Sequence, residues 1–182
     1  QDEVYNLPEE GRFLIIGGPG TGKSVVALLR ARKFHNNSNY VFLTFNHVLK
    51  SASIQLISDD FEIESLTLLS WFYKWQFKLT GKNMPEKEPY KPDYDEVIES
   101  FKSLDINPTN HHLIIDEGQD MPPEFYKALL YSGYQNFFVV ADQNQQITND
   151  HSSRKQLTDR LALDIKGVKE LKENFRNSHP IA

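Results

Sequence analysis

Between residues 12 and 34 the chain passes from an apolar run, Arg12 to Ile16, through Gly17-Gly18-Pro19-Gly20-Thr21-Gly22-Lys23-Ser24 into a stretch with helical spacing, Val25 to Phe34. Nothing else in the sequence constrains the fold as strongly. The eight residues match G-x-x-x-x-G-K-[ST], and a strand that enters such a turn and leaves it as a helix belongs at the carboxyl edge of an open α/β sheet. Glycines let the loop wrap until backbone N–H groups face inward on an anion, and the helix adds its positive end. Residues 18 to 24, that is Gly18, Pro19, Gly20, Thr21, Gly22, Lys23 and Ser24, are thus the candidate phosphate cradle. Lys23 would neutralise the β and γ phosphates of a nucleotide, and the Ser24 hydroxyl would ligate Mg²⁺. A solvated lysine in a glycine-rich turn is the bland alternative, disfavoured by the strand before it and the helix after it.

The rest of the chain repeats the alternation, which predicts an α/β fold with a mainly parallel sheet and helices on both faces. Strands are expected at Arg12 to Ile16, Tyr40 to Thr44, Glu62 to Leu66, His111 to Ile115, Asn136 to Ala141 and Val168 to Leu171. Helices are expected at Val25 to Phe34, Val48 to Ile57, Leu69 to Leu79, Tyr94 to Leu104, Pro123 to Tyr131 and Arg154 to Leu163. The run from Thr80 to Pro92, rich in Pro, Lys and Glu, predicts an exposed connector. At 182 residues the chain suits a single domain. It has no cysteine, which excludes a disulfide scaffold and any thiolate-bound metal. No apolar run approaches the roughly 18 residues of a membrane span, and the sequence reads as cytoplasmic with no membrane partner. A net charge of −5 argues against holding nucleic acid by charge alone, so such a partner needs a local surface.

His112-Leu113-Ile114-Ile115-Asp116-Glu117 is an apolar strand ending in two carboxylates, the form of a Walker B segment. Asp116 would hold Mg²⁺ through water, and Glu117 would polarise an attacking water as general base. Acidic residues here could instead cap the next helix, and Asp120 before Met121-Pro122-Pro123 could do only that.

The run Asp116-Glu117-Gly118-Gln119-Asp120 resembles the DExQD segment of UvrD/Rep-type superfamily 1 helicases. Val140 to Thr148 (VADQNQQIT) resembles the third helicase motif, Leu171 to Arg176 (LKENFR) the fourth, Leu43 to Asn46 (LTFN) motif Ia, and Thr67 to Trp71 (TLLSW) the next strand-to-helix segment. Gln1 lies 16 positions before Gly17, about where that family keeps an adenine-reading glutamine. The matches follow family order and span nearly the whole chain.

The resemblance implies a RecA-like P-loop NTPase over residues 1–182, an ATP hydrolase of the helicase or translocase kind with ATP and Mg²⁺ as cofactors. It implies that Gln145 senses the γ-phosphate, that Arg176 stabilises charge on it, and that Phe175 stacks on adenine where the family often has tyrosine. Phe45, Asn46, Ser70 and Trp71 would face single-stranded nucleic acid, DNA favoured over RNA. Trp71, Phe72 and Trp75 also fall at the spacing of a core stripe. Thr148 stands where the family has a tyrosine able to stack on a base. About 45 residues separate Trp71 from Asp116, too few for a large accessory domain. The resemblance also implies a second RecA-like domain beyond Ala182, without which the domain is expected to be monomeric and weakly active. A nucleotide-dependent switch in a repair or defence machine, or a P-loop kinase for a small acceptor, are the other classes open to this sequence.

Overall fold

The computed structural model describes residues 2–35, 39–45, 65–142, 153–163 and 167–172. The elements run α1 (Asp2–Tyr5), β1 (Arg12–Gly17), α2 (Lys23–His35), β2 (Tyr40–Thr44), β3 (Ser65–Thr67), α3 (Leu68–Thr80), β4 (Glu86–Glu88), β5 (Lys91–Pro92), α4 (Tyr94–Lys102), β6 (Thr109–Ile115), a 3₁₀ turn (Gly118–Asp120), α5 (Pro123–Leu129), β7 (Tyr134–Asp142), α6 (Arg154–Arg160) and β8 (Val168–Leu171). Six strands form one sheet in the order β3-β2-β6-β7-β1-β8, and every adjacent pair is parallel. This is the RecA-like P-loop NTPase fold.

Side chains alternate across the strands, so each strand feeds two cores. On one face Leu14, Ile16, Leu43, Leu113, Ile115, Phe137 and Val139 pack with residues of α3, α4, α5 and α6. On the other Phe13, Ile15, Phe42, Ile114, Phe138 and Val140 pack with α1 and α2. Burial on both faces explains why the central strands read as unbroken apolar runs.

The second face is locked by Arg30, whose guanidinium donates to the carbonyls of Leu7 (3.0 Å), Pro8 and Glu9 (2.8 Å). It also lies over the rings of Phe13, Phe34 and Phe138. Burial lowers its pKa to about 10. His112, stacked on Phe34 at 3.8 Å, is likewise pushed down to about 4, first by burial and then by the Arg30 charge.

Two expectations need correction. The segment 80–92 is not only a connector: Glu86–Glu88 and Lys91–Pro92 pair as a small antiparallel ribbon, tied to α3 by a Tyr73 hydroxyl bond to Glu86. Asp120 does not cap the following helix, because Pro122 occupies that position with Pro123 as the first helical residue. The strand expected at Glu62 to Leu66 is described only as Ser65–Thr67, and the helix expected at Val48 to Ile57 lies outside the described residues.

Candidate functional site

β1 delivers the chain to the carboxyl edge of the sheet, and the glycine-rich loop follows at once. Gly20 and Gly22 hold φ of 78° and 82°, left-handed values that a side chain would strain, so these two positions set the curl of the loop. The Thr21 hydroxyl donates to the Gly18 carbonyl at 2.8 Å and closes the loop on itself. The Val26 N–H donates to the Gly22 carbonyl at 3.0 Å, so helical bonding begins within the loop and α2 presents its positive end there. Pro19 is exposed at the rim, while Thr21 and Lys23 are buried.

The Lys23 ammonium donates to the Gly18 carbonyl at 2.9 Å and pairs with the Asp142 carboxylate at 3.4 Å. Asp142 ends β7, which pairs with β1 in a register that sets Gly17 beside Asp142. The strand order therefore places an acid next to the phosphate loop. Within the run VADQNQQIT nothing local sets Asp142 apart from its neighbours. The signal lay in the position of β7 beside β1, which is a property of topology.

β6 ends one strand further on. Asp116 is 6% exposed, and its backbone N–H donates to the Leu43 carbonyl at 2.8 Å. Burial raises its carboxyl pKa to about 6, opposed by a hydrogen bond with the Ser24 side chain and assisted by the neighbouring Glu117 charge. A buried carboxyl held against a hydroxyl from the phosphate loop suits a divalent cation, which would remove that desolvation cost. Ser24 and Asp116 are the residues that fit it. Among the described residues no group of three or more His, Asp or Glu side chains could hold a metal, so such an ion would need phosphate and water oxygens to complete its shell.

Glu117 adopts φ 55° and ψ 45°, an uncommon backbone for a residue with a side chain. The turn after it is pinned at several points. The Asp120 N–H donates to the Glu117 carbonyl at 3.0 Å, and the Tyr126 hydroxyl donates to the Gly118 carbonyl. The side chain of Gln119, a residue that its place in the DEGQD run does not by itself mark as functional, donates to Glu117 Oε2 at 2.7 Å.

The residues expected to face nucleic acid divide. Phe45, just past β2, is 52% exposed, and Ser70 is exposed in the first turn of α3. Since β2 and β3 are parallel with Thr44 beside Thr67, both residues lie at the same sheet edge as the phosphate loop. Trp71 does not share that exposure. It is 5% exposed, stacks on Trp75 at 6.1 Å and meets the edge of Tyr134 at 5.6 Å, so its faces are spent on core aromatics. Gln1, Asn46, Gln145, Phe175 and Arg176 lie outside the described residues.

Residues 1–150 match the model of an AAA domain family, AAA_19. Comparison with curated proteins returned no match. Among solved structures, Pif1 helicase from Candida albicans superimposes with a TM-score of 0.57 at 16% identity, over 96% of this chain and 39% of that one. The Pif1 of Bacteroides bound to single-stranded DNA gives 0.49 at 15% identity, over 98% of this chain and 42% of that one. The chain thus spans about two fifths of the length of these helicases. The first of these likenesses concerns the fold alone. With its family model matched over most of its length, the chain belongs to the AAA_19 family of AAA domains.

Proposed function

We propose that this chain is the ATP-binding and ATP-hydrolysing motor domain of a superfamily 1 helicase or translocase that acts on single-stranded nucleic acid, DNA in preference to RNA. The observation that carries the reading is the convergence of Lys23, Ser24, Asp116 and Glu117 at one sheet edge, with the Ser24 hydroxyl near enough to Asp116 to hold its carboxyl pKa down against burial, and Lys23 buried beside Asp142. Family membership and the Pif1-like fold support it. The UvrD/Rep-type motifs and the Pif1 likeness point to the same superfamily from two of its branches.

In this reading Lys23 and the N–H groups of the loop bind the phosphates, and Ser24 and Asp116 hold Mg²⁺, which when bound supplies charge neutralisation of the transferring phosphoryl group. Glu117 takes a proton from the attacking water. Gln145 and Arg176 contact the γ-phosphate, Gln1 and Phe175 the adenine. Phe45, Asn46 and Ser70 contribute the nucleic-acid face, while Trp71 belongs to the core. Catalysis of this kind is positioning plus electrostatics. A second RecA-like domain in the full-length protein would close the site, so the chain alone turns over slowly.

The test is Mg·ATP turnover by the full-length protein with and without single-stranded DNA or RNA, beside its Lys23→Ala variant. The reading expects stimulation by a single strand, greater with DNA, and its loss in the variant. Turnover indifferent to both polymers would instead identify a nucleotide switch or an unrelated ATPase.

A further inference from the structure

The polar atoms of Gln119 are committed in two directions. Its amide nitrogen donates to Glu117 Oε2 at 2.7 Å and to Asp120 Oδ1 at 3.3 Å, while its amide oxygen accepts from the Asp142 backbone N–H at 2.9 Å. The residue is 1% exposed. It therefore spans from the carboxylate at the end of β6 to the last residue of β7, and the Asp142 side chain continues the path to Lys23.

The turn that carries Gln119 is over-determined. Gly118 has no room for a side chain, since a Cβ there would stand 2.4 Å from Val139 Cγ1 and 3.0 Å from the Tyr126 hydroxyl. The left-handed backbone of Glu117 is thus held by packing at 118 and by hydrogen bonds at 117, 118 and 120. A strained backbone kept by this many constraints is a feature of positioned reactive groups. Yet a turn fixes only the main chain, and a glutamate has three further torsions. The contact that fixes its carboxylate is the amide of Gln119.

The geometry points to Gln119 as the positioning residue of the reaction: it orients the Glu117 carboxylate and ties that orientation to the end of β7. An amide suits both tasks, because it donates at one end and accepts at the other and carries no charge of its own to perturb Glu117. A lysine could donate but not accept, and a carboxylate would repel its neighbour. This inference rests on the reading of Glu117 as general base.

The test is a double-mutant cycle on the full-length protein, with single-turnover ATP hydrolysis and equilibrium ADP affinity measured in each member. Gln119→Leu removes both links. Gln119→Glu keeps an acceptor for the Asp142 N–H and removes the donor to Glu117. Both should lower turnover by about 10- to 100-fold, part of what a positioned base contributes, with ADP affinity kept within about threefold. In a Glu117→Gln background neither should lower turnover further. Normal turnover in Gln119→Glu overturns the inference, as does an equal fall in both backgrounds or a fall that tracks lost ADP affinity. Undiminished turnover in Glu117→Gln alone would overturn the general-base reading itself, and this inference with it.

Discussion

Two stretches of the same sheet edge carry similar motif evidence and are built in opposite ways. At the ends of β1, β6 and β7, charged and polar groups converge, each buried or half-buried: Lys23 with Asp142, Gln119 with Glu117, and Asp116 near Ser24. At the end of β3 and the start of α3, the motif residues separate. Ser70 faces outward, and Trp71 turns in to join Trp75, Phe72 and Tyr134. Buried polar groups are costly unless paired, so their convergence marks a site. Buried aromatics need no such explanation, because packing alone stabilises them. A motif match therefore weighs more where it concentrates charge than where it concentrates rings.

The largest effect that would break this comparison is at Lys23. Lys23→Ala should lower ATP turnover by about 10²- to 10³-fold, as loss of a charge-stabilising donor does. Across the divide the effect should invert. Trp71→Ala should destabilise the fold by about 3–5 kcal/mol, the range for removing a large buried ring, and at temperatures where it remains folded its affinity for single strands should match the wild type. A large affinity loss without a stability loss would return Trp71 to the nucleic-acid face.

A smaller effect sharpens the electrostatic half. The Asp116 carboxyl titrates near 6 in the folded chain, above the usual range of an aspartate, so folding favours its protonated form. Its stabilising contribution is present at low pH and lost as pH rises through about 6. His112, held near 4, acts in the opposite sense: it favours folding at neutral pH and loses that contribution as pH falls from about 6.5. The two oppose each other over pH 4 to 6. Metal-free Asp116→Asn should be more stable than wild type at pH 7, by on the order of 2 kcal/mol, and should lose stability more steeply on acidification because the opposing gain from Asp116 is gone. Equal melting curves at pH 7 would show that the carboxyl carries no such desolvation cost.

The smallest effect belongs to Phe45. Phe45→Ala should change stability by less than about 0.5 kcal/mol, as expected of an exposed side chain, but should weaken single-strand binding by about 1 kcal/mol or more if a base stacks there. Unchanged binding would remove Phe45 from that face.

Much of the fold was legible because burial on both faces writes the central strands as apolar runs. Arg12 to Ile16 and His111 to Ile115 fall within β1 and β6, and Tyr40 to Thr44 coincides with β2. The edge strand β8, VKEL, coincides with Val168 to Leu171 although it is only partly buried. The helix starts expected at Tyr94 and Arg154 coincide with those of α4 and α6, where the structure shows Asp93 accepting from the Glu96 N–H and Ser153 with Gln156 forming a reciprocal capping box. The β4–β5 ribbon escaped because its seven residues, EKEPYKP, show neither alternation nor apolar content, and its pairing depends on the turn at Tyr90 with φ 63°. The site was legible as a set of residue types but not as a network. Gln119 and Asp142 are 23 residues apart, and they meet because β6 pairs with β7 with Ile115 beside Val139. No local pattern encodes that meeting. Trp71 was readable both as a base platform and as a core stripe, and only the placement of Tyr134 and Trp75 around it decides between the two.

Under the proposed function this edge of the sheet hydrolyses ATP and does not merely bind it. The most direct measurement is Glu117→Gln in the full-length protein, with ATP affinity and single-turnover hydrolysis determined side by side. Affinity close to wild type with turnover reduced by about 10²- to 10⁴-fold is the predicted result. Hydrolysis that continues at the wild-type rate would contradict the account, and would leave the cradle of Lys23, Ser24 and Asp116 as a nucleotide-holding site without a base.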